Sequence, residues 1–233
     1  MPYPFTKMRN HEIMFLHTHP YEPFLFREAT KLIVGTLPPP RFTIGELKAD
    51  DVDFCYGSSN GMLWPILDRI FDLGLKYENT QFAIEQRRDF LLENRLGVCD
   101  IVESAERDKV DASDLGMQNV RLRNLIGYLE EFGNLEVILF MGGNSKNGPE
   151  YFFRKLLKPL SIPLETISDT VPRIYRFELP KSQRKITTVS LTAPSGAANR
   201  AVGSMEAYKR MKDKDPSFNT LDFRVLQYRP FFK

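Results

Sequence analysis

Two cysteines and three histidines are all that 233 residues supply of the softer metal ligands. Cys55 and Cys99 are too few for a disulfide framework, or for a zinc or iron–sulfur centre built from cysteine alone. They read as two reduced, partly buried thiols of a cytoplasmic protein. Long apolar runs are missing too. The longest are about five residues, such as Val137-Ile138-Leu139-Phe140-Met141, where a membrane span needs about 20. No transmembrane helix is expected, and Met1 to Lys7 lacks the apolar core of a signal peptide. Internal repeats and low-complexity stretches are absent as well. With 42% hydrophobic and 27% charged residues, the composition is that of a folded globular chain. The length predicts a single domain over residues 1–233.

The net charge of +2 says little, but its distribution says more. Lys181 to Lys233 holds eleven basic and four acidic residues, a balance of +7, which leaves −5 for the rest. A basic C-terminal quarter on a weakly acidic body suits a polyanion such as nucleic acid. A solvated basic face fits the charge equally well.

Residues 1–30, with Pro2, Pro4, Pro20 and Pro23, read as an extended arm. Short apolar, β-branched runs predict strands near 31–35, 98–102, 137–141, 174–179 and 185–191. Helical spacing of apolar residues predicts helices over 62–73, 80–93 and 119–132, with Thr80 as an N-cap, and a further helix over 204–211. Pro149 opens another, at the favoured first turn. Residues 213–233 form a basic, aromatic tail expected to pack on the body. Its interleaved aromatic and basic residues also suit single-stranded nucleic acid. Strands alternating with helices predict a three-layer α/β/α domain with a mainly parallel central sheet. In such sheets the ligand lies beyond the carboxyl ends of the strands, so the loops after Val34, Met141 and Leu191 carry the chemistry.

Several familiar motifs fail. Gly143-x-x-x-x-Gly148 begins like a phosphate loop, but Pro149 stands where the lysine belongs. Backbone N–H groups for an anion remain an expectation there. His11, His17 and His19 all lie in the arm, with no third metal ligand nearby, and are expected to be surface or partly packed side chains. A Gly-x-Ser-x-Gly elbow is absent. No metal and no nucleotide cofactor is implied.

Three segments do hold together. Gly35-Thr36-Leu37-Pro38 follows the first strand, and Tyr56-Gly57-Ser58-Ser59-Asn60-Gly61-Met62-Leu63-Trp64-Pro65 comes about twenty residues later. Leu96 to Val102 carries Asp100, with Glu106-Arg107 just beyond. Thr192-Ala193-Pro194-Ser195-Gly196-Ala197-Ala198-Asn199 follows a late strand. In order and spacing over residues 31–212, these segments resemble the uracil-DNA glycosylase superfamily. The branch they resemble is that of the hypoxanthine (deoxyinosine) and mismatch-specific DNA glycosylases. In that branch a Gly-x-x-Pro turn, a Tyr-Gly-x-Pro-x-Asn-x-Phe-Trp-Pro segment and a Pro-Ser-Thr-Ser-Pro-Ala-Asn loop line one pocket. The departures are specific. The family's Asn falls on Gly61, with Asn60 one residue early, and Leu63 replaces the Phe. Gly196 and Ala197 replace Thr and Ser.

The resemblance implies a monomer that binds DNA, extrudes a deaminated base (uracil or hypoxanthine) and hydrolyses its C1′–N bond. Asn60 then takes the catalytic place, orienting water or base with its amide. Gly35, Thr36, Leu37, Pro38, Tyr56, Gly61 and Asn144 contact the base: Tyr56 by stacking, the turn by N–H groups that stabilise charge on the leaving base. Pro194, Ser195, Asn199 and Arg200 contact DNA, with Arg200 on phosphates or as a wedge. Each residue also has a plainer reading. Tyr56 and Trp64 suit a core, Asn60-Gly61 suits a turn, Asp100 suits a strand-end organiser that accepts backbone N–H bonds, and Glu106-Arg107 suits a local ion pair. A binding module that keeps the pocket without catalysis is the competing expectation.

Overall fold

The computed structural model describes residues 6–9, 12–111 and 113–233. His11 lies outside them. The chain runs β1 (Thr6–Arg9), β2 (Glu12–Thr18), β3 (Lys31–Val34), α1 (Pro40–Thr43), α2 (Leu63–Phe71), α3 (Gln81–Glu93), β4 (Leu96–Val98), β5 (Val102–Arg107) and β6 (Gln118–Leu122). It continues through α4 (Leu125–Glu131), β7 (Val137–Phe140), α5 (Pro149–Leu157), β8 (Glu165–Ser168), β9 (Arg173–Glu178), β10 (Lys185–Ser190), α6 (Asn199–Ser204), α7 (Glu206–Lys214) and α8 (Thr220–Phe232).

The larger sheet has the order β4-β3-β7-β10-β9-β8. Its first three pairings are parallel and its last two antiparallel. The central strands are apolar runs buried on both faces, as parallel strands usually are. Alternate side chains enter two separate cores. Ile33, Leu139 and Val189 pack with α2, α3 and α8, whereas Leu32, Ile138, Phe140 and Ile186 pack with α4 and α5. The sheet is mixed and mainly parallel, as the strand–helix alternation predicts. Among the described residues no helix is long and apolar enough to cross a membrane.

The second sheet was not expected. The arm supplies β1 and β2, and the order β1-β2-β5-β6 is antiparallel throughout. The segment read as one strand over 98–102 is divided between the sheets. β4 ends at Val98 and β5 begins at Val102, while the Ile101 N–H turns to the Gly35 carbonyl (3.0 Å). The helix expected from residue 119 starts at Leu125 instead. Residues 118–122 pair with β5, and Asn124 caps the shortened helix by accepting the Gly127 N–H. Tertiary pairing overrides the helical stripe there.

Elsewhere the local signals hold. Thr80 caps α3 through its side chain, which accepts the Ala83 N–H. Pro149 stands in the first turn of α5. The helix expected over 204–211 is α7, separated from α6 by an extended Met205. The tail packs on the body as α8, opened by a capping box of Asn219 and Asp222. Phe223, Tyr228 and Phe232 are buried, so these rings are not free to stack on a single strand.

Candidate functional site

β3, β7 and β10 point the same way, so the loops after Val34, Phe140 and Ser190 share one edge of the sheet. Asp100 sits on that edge, just past the end of the outer strand β4. Its Oδ1 accepts the Gly35 N–H (2.8 Å) and the Tyr56 hydroxyl (2.7 Å), and its Oδ2 meets His19 Nε2 (3.1 Å). Burial works against the carboxylate's charge. The bonds from His19, Tyr56 and Gly35 outweigh it and hold the carboxyl below its usual range. Burial, reinforced by the Asp100 charge, raises the Tyr56 hydroxyl well above its ordinary pKa, so it stays a donor. The strand-end role expected of Asp100 is what the geometry shows.

Gly35 is required at this point. A Cβ there would lie 2.3 Å from the Tyr56 hydroxyl oxygen and 2.9 Å from Asp100 Oδ1. Gly35→Ala is expected to lose about 1–3 kcal/mol, as overpacking does. Denaturant unfolding checks this, and an unmoved midpoint would contradict the contact.

Two of the arm histidines, expected as surface or partly packed side chains, are packed more tightly than that. His17 and His19 are both buried, because the arm folds onto the strand ends. His17 Nδ1 accepts from Arg107 Nε (2.8 Å). Burial, then the Arg107 charge, lowers His17 to about 3, so its ring is neutral. Arg107 makes no ion pair with Glu106. It donates to His17 and to the Ser113 carbonyl, and Glu106 accepts from Asn119.

A second buried carboxylate, Asp51, fixes the next loop. It accepts two bonds from Arg41 (2.6 and 2.7 Å) and the N–H groups of Lys48 and Ser59. Arg41 also donates to Ser58 Oγ (2.8 Å). The turn carrying Ser58, Ser59 and Asn60 is thereby tied to α1, which follows Pro38. Burial opposes the Asp51 charge, but Arg41 and the backbone donors depress its carboxyl below its usual range. A depressed folded pKa stabilises above the unfolded value, about 3.9 for Asp, and that gain is lost as pH falls through the folded pKa. The stability gap between the unmutated chain and Asp51→Asn is therefore expected to close in acid. Urea titrations at several pH values measure it, and a constant gap would refute the assignment.

The last loop joins the same cluster. Gly61 bridges Ser195, and the Met62 N–H donates to the Pro194 carbonyl (2.9 Å). Asn199 Oδ1 is taken by Arg224 and Thr220. A Cβ on Gly61, which stands where the related pattern has Asn, would press on the Ser58 carbonyl oxygen at 3.0 Å.

Among the expected site residues, Gly35, Tyr56, Gly61, Pro194 and Ser195 come together. Thr36, Leu37 and Pro38 are half-buried beside them, with Thr36 Oγ1 donating to Asp114 (2.9 Å). Asn60 lies exposed on the turn before α2, Arg200 is exposed in the first turn of α6, and Asn144 is exposed on the loop after β7. That last loop does not offer the expected anion cradle. The Gly148 N–H is spent on the Ser145 carbonyl, Pro149 has none, and the buried Glu150 carboxylate occupies the helix start. Arg154, Arg173 and Ser190 hold that carboxylate. Trp64 is core, its indole N–H donating to the Cys55 carbonyl. Cys55 and Cys99 are buried, and burial raises both thiols.

No family model matches the sequence, and no curated protein matches it. The fold has a solved counterpart. The solution NMR structure of a proposed uracil DNA glycosylase from Methanosarcina acetivorans aligns over 90% of this chain and 98% of its own. The TM-score is 0.50 and the identity 16%, so the likeness is one of fold.

Proposed function

We propose that the chain is a DNA N-glycosylase of the uracil-DNA glycosylase kind, a single three-layer α/β/α domain that works as a monomer without metal or nucleotide cofactor. One observation carries the reading. The Gly35 turn, the Tyr56–Gly61 loop and the Pro194–Ser195 loop converge on one edge of the sheet around a carboxylate that orients Tyr56. The motif pattern resembles that of the hypoxanthine and mismatch-specific branch, so uracil and hypoxanthine are the expected leaving bases.

Breaking a C1′–N bond leaves cation-like charge on the sugar and negative charge on the base. Among the described residues no acceptor takes the N–H groups of Thr36 and Leu37, so both can serve the departing base. Tyr56, its hydroxyl held by Asp100, offers a ring face to an extruded base. Asn60, exposed on the Asp51-anchored turn, places a water toward C1′. Arg200, exposed in the first turn of α6 beside the 193–199 loop, holds a phosphate.

The test is a cleavage assay on single- and double-stranded oligonucleotides carrying uracil, hypoxanthine or xanthine, developed with alkali. Strand breaks at the altered base support the reading; none on any substrate removes it. DNA affinity should also fall steeply with salt and weaken in Arg200→Ala. A flat salt response would count against a phosphate-led grip. A second reading, a nucleic-acid-binding module without turnover, rests on Gly61, which brings no side chain where the related pattern has Asn.

A further inference from the structure

Arg224, in the middle of α8, is fully buried, and among the described residues no carboxylate faces it. Its guanidinium is solvated by neutral groups. Nε donates to the Ala193 carbonyl (2.9 Å), Nη2 to the Ser195 carbonyl (3.1 Å), and Nη1 to Asn199 Oδ1 (2.9 Å) and the Thr220 carbonyl (3.2 Å). The nearest acid on the same helix, Asp222, is turned away. It pairs with Arg69 (2.6 Å) and caps the Asn219 N–H. Carbonyl dipoles satisfy the donors but leave the charge whole. In a poorly polarisable interior that charge is felt further than at the surface.

The carbonyls of Ala193 and Ser195 are drawn inward to Arg224, and that of Pro194 is held by Met62. What the loop presents outward is Gly196 and Ala197, both small and exposed, with exposed Arg200 next to them. A chain of phosphates can lie close against such a surface. We propose that the anion answering Arg224 is a backbone phosphodiester of the bound DNA, carried on the outer face of the 193–199 loop beside Arg200. Arg224 is then a positioning residue: it shapes the loop and lends it positive potential through one layer of backbone. This rests on the DNA-binding part of the reading above.

The experiment compares the unmutated protein, Arg224→Lys and Arg224→Gln, by fluorescence anisotropy with a labelled oligonucleotide over a range of salt, and by thermal unfolding. Both variants lose the fork of hydrogen bonds, so both should melt earlier. Only Arg224→Gln loses the charge, and its slope of log affinity against log salt should be shallower than that of the unmutated protein. The lysine variant should keep the full slope. Equal slopes in all three proteins would overturn the assignment and leave DNA binding standing. No salt-dependent binding by the unmutated protein would overturn both. Should the variants fail to fold, inorganic pyrophosphate tests the phosphate site on the 193–199 loop. It should raise the melting temperature of the unmutated protein more than that of Arg200→Ala, and an absent or equal shift would refute the site.

Discussion

Asp100→Ala is expected to lose about 3–5 kcal/mol of folding stability, the range seen when one partner of a buried charged network is removed. The reason is what it leaves behind. The Gly35 N–H, the Tyr56 hydroxyl and His19 Nε2 all turn toward this carboxylate. Without it, two or three donors stay buried with no acceptor, each costing about 1–3 kcal/mol before relaxation. Asp100→Asn keeps one carbonyl oxygen and should fall between. The pH behaviour has a defined sign. The folded carboxyl is held below its usual range, so its contribution is present above the unfolded pKa and fades as pH drops. Urea unfolding near neutral pH and in acid, on both variants, measures this. A loss under about 1 kcal/mol, the worth of an exposed pair, would show that the cluster is not closed as described.

That cluster also marks where the sequence stops being readable. β3, β7 and β10 announce themselves as short apolar runs between breakers, and the parallel-sheet rule then places Gly35 and Ser195 on one edge. Thr80 and Pro149 mark their helices by local chemistry alone. The second sheet carries no such mark. Its β6, Gln118–Leu122, has polar residues at alternate and adjacent places, and Leu122 falls in register with a helical stripe. Only pairing with β5 makes it a strand. The burial of His17 and His19 is hidden in the sequence for a related reason. His19 finds Asp100 81 residues away, and His17 finds Arg107 90 residues away. Nothing local distinguishes a buried histidine from a solvated one. Arg224 likewise looked like one more basic residue of a tail, because its acceptors are backbone carbonyls of a loop about thirty residues earlier. Sequence pattern identifies groups that must be buried for apolar reasons. It does not identify polar groups whose burial depends on partners far along the chain.

Asn60→Ala should reduce base release by about 10²–10⁴-fold, the usual range for removing a positioned proton-handling or water-orienting group, and leave the fold intact. The stability half follows from the site. Asn60 is exposed, and the bond it makes runs from its backbone N–H to Ser58 Oγ (3.3 Å), which alanine keeps. The turn is held by Asp51, Arg41 and the Gly61–Ser195 bridge rather than by the Asn60 side chain. α2 is not capped by it either, since Met62 occupies the cap position. A turn or cap role would instead show as a loss of about 1 kcal/mol with turnover unchanged. Single-turnover cleavage of the preferred base, paired with urea unfolding of the same preparations, separates the two. DNA affinity serves as the third reading, because the proposed role of Asn60 is separate from the phosphate contacts proposed for Arg200. Turnover that survives the substitution would move the chemistry away from Asn60 and onto the backbone groups of the Gly35 turn.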